Sequence, residues 1–234
     1  MSADALQTSE RLETAKSVGP QLFRLLRGRI VRGELSPGTR LSESDVALHY
    51  GTSRQPVREA FIKLAEASLI EVRPQRGSYV SRIDTKAVLA AQFVREAVEA
   101  DIVRRVARNA TPAILRDFDA MLAVQAEAAG IDDPQPFISA DEAFHRRLAD
   151  VAGQGAGWEF LQPLKTQMDR VRHLSARQFP RRALIAQHRA IVDAVGAGDA
   201  DGAEAQMRAH LRQILEDVPA VVAALPDFFE GTLP

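Results

Sequence analysis

The residue pattern predicts a mainly α chain in two parts, with three short helices and a β-hairpin first and a bundle of about six helices after them. Three observations lead there. Apolar residues recur at helical spacing over most of the 234 positions. Strand-like runs are confined to LIEVRP and SYVSR, residues 69–74 and 78–82. The charge also changes sign along the chain: residues 18–82 hold 11 Arg or Lys against 6 Asp or Glu, and residues 83–234 hold 17 against 22. A basic first part points to a polyanion partner for that part alone.

The expected boundaries follow: a flexible tail over 1–17, a basic domain over 18–83, a helical domain over 84–225 and a second tail over 226–234. A chain that is 46% hydrophobic and 26% charged can bury a real core. With no cysteine, disulfides, thiolate metal ligands and cysteine nucleophiles are excluded, which suits a reducing compartment. The start, MSADALQTSERLETAK, lacks the basic and apolar regions of a secretory signal, and no apolar run approaches the roughly 18 residues that span a bilayer. A cytoplasmic protein with no membrane partner is expected.

In the basic part, Leu22, Leu25, Leu26 and Ile30 mark a first helix over 18–32, stopped by Gly33 and the Pro37-Gly38 turn. Ser42 lies three residues before Asp45, a capping-box spacing for a second helix ending near Tyr50 and Gly51. Ser53 is placed to cap a third helix, with Pro56 tolerated in its first turn. Val57, Ala60, Phe61, Leu64 and Ala65 form its apolar stripe, and Arg54, Gln55 and Arg58 stand clear of it. A two-stranded hairpin follows, turning around Gln75-Arg76-Gly77.

Three helices and a glycine-tipped basic hairpin are the outline of a winged helix-turn-helix. In such a domain the third helix enters the major groove, where arginine can donate two bonds to guanine and glutamine can match adenine. Arginines at helical spacing are also ordinary surface residues; here the ordered context and the positive balance favour DNA. The stretch GELSPGTRLSESDVALHYGTSRQPVREAFIKLAEASLIEVRPQRGSYV also resembles the DNA-binding domain of the GntR transcriptional regulators. That resemblance implies DNA contacts by Arg54 and Arg58 and roles for Ser53, Gln55, Arg76 and Gly77, with Arg40 counted beside them. Gln55 departs from the family's frequent threonine and Phe61 from its leucine.

After residue 84, glycine and proline punctuation divides the chain into helices over 86–109, 112–129, 134–152, 157–178, 181–197 and 199–224, with AGIDDPQPF and AGQGAGW as loops. PDFFEGTLP is expected to be a mobile tail. The five histidines separate by helical phase. His145 follows Asp141 by one turn and shares an apolar stripe with Leu148 and Ala152; His188 lies in the row of Leu184 and Ile191, and His210 in that of Met207 and Ile214. His173, about half a turn round from Leu164, is expected to face water, and His49 belongs to the basic domain. One inward histidine is more often a hydrogen-bonded core residue than a ligand. Three of them with an aspartate form a set that a divalent metal satisfies at once, zinc foremost, with nickel, manganese or iron as alternatives.

The second part is similar to the FCD effector domain that accompanies this DNA-binding domain in one branch of the family. Metal-binding FCD domains use an aspartate-X3-histidine pair and two further histidines, and Asp141, His145, His188 and His210 match in order. The resemblance implies a small organic-acid effector assisted by an arginine, for which Arg95 is the first candidate and Arg172 the second. A homodimer on a pseudo-palindromic operator is expected, because paired recognition helices supply the affinity and site length that one small domain cannot, and the resemblance implies repression relieved by the effector. The competing expectation is a metal-dependent enzyme acting on a small carboxylate, with Glu142 or Glu99 as the nearby carboxylate. Against it stand the absence of an H-E-x-x-H spacing and the position of Glu142 about 100° round the helix from Asp141. A DNA-packaging protein would need positive charge throughout, and this chain carries −1.

Overall fold

The computed structural model describes residues 11–13 and 15–231, arranged as two compact units. One comprises the described residues up to Asp84 together with Leu225–Glu230, and the other Thr85–Ala224 with Gly231.

In the first unit, α1 (Val18–Val31), α2 (Glu43–His49) and α3 (Arg54–Glu66) enclose a core of Leu22, Leu26, Ile30, Val46, Val57 and Leu64, each at most 1% exposed. The Ser42 hydroxyl accepts from the Asp45 N–H at 3.4 Å and caps α2. Ser53 precedes α3 in extended conformation, but its side chain makes no capping bond; the helix start relies on backbone geometry alone. The sheet has three strands rather than the expected two, because β1 (Arg40–Leu41) pairs antiparallel with β3 (Gly77–Val80), whose other edge carries β2 (Ile70–Arg73). A strand of two residues is too short to show any alternation in sequence.

At the wing tip Gly77 has φ +104, and a Cβ there would stand 3.2 Å from Arg40 Nε. Gly77→Ala is therefore expected to cost about 1 to 3 kcal/mol, read as a lower urea midpoint; an unchanged midpoint would show that the wing relaxes freely.

The expected carboxy-terminal tail is largely ordered. Pro226–Phe228 form a 3-10 turn and β5 (Phe229–Glu230) pairs parallel with β4 (Ile83–Asp84), since Phe229, 6% exposed, has apolar surface to bury. Residues 232–234 lie outside the described residues, as do residues 1–10 and 14 of the amino-terminal tail. Within that tail Leu12 packs on the core, and the Gln21 amide nitrogen donates to the carbonyls of Glu13 and Lys16.

The second unit contains seven helices, one more than expected: α4 (Thr85–Asn109), α5 (Pro112–Ala129), α6 (Gln135–Val151), α7 (Gly155–Leu164), α8 (Thr166–Gln178), α9 (Arg181–Gly196) and α10 (Ala200–Ala224). The expected helix over 157–178 is broken at Lys165, just past Pro163, and α7 starts inside the stretch assigned to a loop. Lys165 is only 3% exposed, its ammonium 2.8 Å from Glu142 and 2.9 Å from Asp169, so the break is held by buried ion pairs. Pairs Arg104–Glu204 (2.6 Å) and Glu96–Arg212 (2.6 Å) run in opposite order, which sets α4 and α10 antiparallel. Phe118, Phe144, Trp158, Leu148, Ile191 and Met207 fill the core, each at most 1% exposed.

The break also overturns the expectation for His173, which is 6% exposed. Leu164, the phase reference for it, belongs to α7 and is itself 56% exposed. Helix α8 buries polar residues on more than one side, Gln167, Arg170 and His173 among them, because it runs through the interior of its unit.

Candidate functional site

Four polar residues from three helices meet inside the second unit. Asp141 and His145 lie one turn apart on α6, His188 comes from α9 and His210 from α10, and all are at most 7% exposed. One ligand atom from each falls within 4.8 Å of the others. His188 Nε2 is 3.1 Å from His210 Nε2, which is 3.2 Å from His145 Nε2; Asp141 Oδ1 lies 3.6 Å from His188 Nε2.

The opposite ring nitrogens explain why these contacts are not ordinary hydrogen bonds. His188 Nδ1 is 2.8 Å from Gln125 Oε1, His210 Nδ1 is 2.8 Å from Gln187 Oε1, and His145 Nδ1 is 2.5 Å from Glu99 Oε2. The two amides are oriented by their own donations, Gln125 Nε2 to the Ala140 carbonyl and Gln187 Nε2 to Gln213 Oε1. The two amide oxygens require the proton on Nδ1 of His188 and His210, and the Glu99 carboxylate beside His145 Nδ1 favours a proton there too, which leaves Nε2 of each ring a bare lone pair. Three such lone pairs aimed at one another repel unless a cation lies between them. Nitrogen ligands at about 2.1 Å from a metal stand roughly 3.0 to 3.4 Å apart, the separation found here. The residues present therefore fit a divalent ion, and their supporting bonds match those that orient metal-bound histidines.

The electrostatics agree. Burial pushes the His188 imidazole down to about 3 despite the pull of Asp141, and it pushes His210 well below its ordinary value with help from His188 and His145. Burial opposes ionisation of Asp141, but Arg172, then His145 and His188, outweigh it and hold the carboxyl below its ordinary value. Glu99, likewise buried, is held down at about 2 by Arg95 and His145. Neutral imidazoles and an ionised carboxylate are the forms that bind metal.

A cavity of about 190 Å³ opens beside these residues, lined at the cluster by Asp141, His210, Arg95 and Arg172. Arg172 is paired with Asp141 and Glu142. Arg95 pairs with Glu99 at 2.5 Å, yet its buried Nη2 has no hydrogen-bond partner among the described residues. Glu142 is tied to Lys165 and Arg172, which leaves it poorly placed to act as a free base. The sequence did not single out Gln125 or Gln187, because an amide one helix away has no spacing relation to the histidine it supports.

The basic unit presents the other predicted residues. Ser53, Arg54, Gln55 and Arg58 are exposed around the start of α3, Arg40 is exposed on β1, and Arg76 is exposed in the turn between β2 and β3, just before Gly77 opens β3. Glu43 holds both arginines at the start of α3: Arg54 Nη2, Arg58 Nε and Arg58 Nη2 each donate to it at 3.1 Å. These bonds, Arg58 first, keep the Glu43 carboxyl below its ordinary value. No local spacing singles out Glu43, whose partners lie 11 and 15 residues away.

Comparison with known proteins is consistent with both units. Residues 20–80 match the family described as bacterial regulatory proteins, gntR family, and residues 91–213 match the FCD domain. The chain is 38% identical over 220 residues to the HTH-type transcriptional repressor RspR of Escherichia coli strain K12, covering 94% of this chain and 96% of that one. It is 30% identical over 208 residues to a probable D-xylose utilization operon transcriptional repressor of Paenarthrobacter nicotinovorans, covering 89% and 91%. In fold it resembles E. coli McbR/YncC, with a TM-score of 0.72 at 21% identity over 89% of this chain and 99% of that one. Among the described residues no helix is long and apolar enough to cross a membrane. The competing enzyme expectation falls with these matches, whose named members are transcriptional regulators. The chain belongs to the GntR family of bacterial transcriptional regulators, in the branch whose second domain is an FCD domain, and it is a DNA-binding regulator rather than an enzyme.

Proposed function

We propose that this regulator is a metal-dependent repressor that senses a small organic acid. As a homodimer in the cytoplasm it reads a pseudo-palindromic operator through Arg54, Gln55 and Arg58 on the recognition helix, Ser53 at its start, and Arg40, Arg76 and Gly77 at the wing. Two-fold symmetry doubles the contact area that one small domain supplies. Asp141, His145, His188 and His210 hold one divalent ion, zinc foremost. The observation that carries this reading is the convergence of three imidazole Nε2 atoms, with Nδ1 of His188 and of His210 held by amide oxygens and Nδ1 of His145 beside the Glu99 carboxylate.

A bound ion would supply a positive centre for the effector's carboxylate. The chain's own contribution is Arg95, whose buried Nη2 has no hydrogen-bond partner among the described residues, while Arg172 orients Asp141. The effector acts by binding one dimer geometry more tightly than another, since equal affinity for both would shift nothing. That the relatives named above are repressors supports the direction of control.

The test is a chelation and reloading series on the full-length protein. As purified it is expected to hold about one ion per chain, to be stabilised by small hydroxy, keto or sugar acids in a thermal-shift screen, and to lose that response on chelation. Zinc should restore it. An acid response that survives complete removal of metal would overturn the metal-dependent sensor.

A further inference from the structure

Glu43, the first residue of α2, is outside the set of side chains expected to contact DNA, yet it bonds two of them. Its Oε1 accepts from Arg58 Nε, and its Oε2 accepts from Arg58 Nη2 and Arg54 Nη2, each at 3.1 Å. The arginine side chains are open to solvent, Arg54 64% and Arg58 55% exposed, while that of Glu43 is 23% exposed. One carboxylate thus ties the start of α2 to two positions one turn apart on α3.

Folding stability does not account for this arrangement. Exposed ion pairs contribute little, because solvent weakens the attraction and long side chains lose rotamer freedom in forming them. The shape of the guanidinium gives a different account. Its five N–H donors form a rigid planar fork, with one bidentate edge at Nε and Nη2 and another at Nη1 and Nη2. Glu43 occupies the Nε–Nη2 edge of Arg58, and the plane of the group then aims the Nη1–Nη2 edge away from Glu43. That remaining edge offers two parallel N–H groups, as guanine O6 and N7 require. A side chain already held in one orientation loses less freedom on docking, so the shared carboxylate favours a bidentate base contact. Its negative charge also opposes random DNA, where attraction to phosphates supplies nearly all the affinity.

We propose that Glu43 is a specificity-determining positioning residue, which orients Arg54 and Arg58 toward guanine edges and lowers attraction to non-cognate DNA. This rests on the reading that the start of α3 faces bases in the major groove. Asp45 supplies the internal contrast. It is an exposed acid in the same first turn of α2, and its carboxylate makes no ion pair among the described residues.

The experiment uses the full-length protein and DNA that the protein itself selects. The native protein, Arg54→Ala, Arg58→Ala and Glu43→Ala each select from a pool of random-sequence duplexes. The duplex selected by the native protein is then titrated beside a shuffled one. Glu43→Ala is expected to bind the shuffled duplex about two- to fivefold more tightly and to lower the ratio of selected to shuffled affinity by about 10-fold. Its selected sequences should relax at the positions that relax in the arginine variants and at no others, a pattern that general loosening of α2 would not give. Glu43→Gln keeps one acceptor oxygen and should lose less of the ratio. Asp45→Asn removes an equal charge from the same turn and should leave the ratio within about twofold, since it raises both affinities alike. With both arginines replaced by alanine, removing Glu43 should change the ratio no further. An unchanged ratio in Glu43→Ala, an equal loss of ratio in Asp45→Asn, or relaxation spread evenly over every position would overturn the assignment and leave the arginines as readers. Arginine variants that lose selected and shuffled binding equally would overturn the major-groove reading as well.

Discussion

Replacing His145, His188 and His210 together by alanine is expected to abolish metal binding and, with it, all stabilisation by organic acids. For the native protein an acid present at 100 times its dissociation constant adds about 2.7 kcal/mol, and the variant should show none of it. The apo melting temperature of each protein is the baseline, because removing imidazoles also removes buried polar groups that need partners. Gln125→Leu is the finer probe. It leaves every proposed ligand in place but takes away the acceptor that holds the His188 proton on Nδ1, and should weaken metal binding about 10- to 100-fold. Unchanged acid binding by the triple variant would sink the sensor; unchanged metal affinity in Gln125→Leu would mean that packing against Phe144, 4.4 Å away, orients His188 unaided.

Loss of Arg54 and Arg58 is expected to remove most sequence-specific DNA binding. An arginine that bonds a base contributes about 1 to 3 kcal/mol of discrimination, so Arg58→Ala should lower affinity for the operator by roughly 5- to 150-fold and for random DNA far less. The double variant should lose more than either single one but less than their sum. Both arginines share Glu43, and freeing one changes the other's restraint. Equal losses on operator and random DNA, together with a shallower salt dependence, would reduce these residues to phosphate contacts.

Much of the fold was legible because it rests on local rules. Leu22, Leu26 and Ile30 repeat at helical spacing, Ser42 and Asp45 mark a helix start, and Gly77 marks a turn with positive φ; each is a property of neighbours in the chain. The misplacements share the opposite character. The break at Lys165 is stabilised by Glu142 from another helix, and His173 was assigned to solvent from a phase that does not continue across that break. Phe229 was assigned to a tail because its strand partner, Ile83, lies far back in the chain.

The candidate site divides along the same line. Local spacing marks which residues could serve: an aspartate and a histidine one turn apart, two further histidines on apolar faces, and a third helix with a basic opening turn. Helical phase is a short-range property, and it placed those four side chains on inward faces. That the faces meet at one point, that Gln125 and Gln187 accept from two of the imidazoles while Glu99 stands beside the third, and that Glu43 restrains both arginines are properties of the packed helices. Each of those contacts joins residues 11 or more apart in the chain, and packing of separate helices, rather than spacing along one of them, brings the partners together.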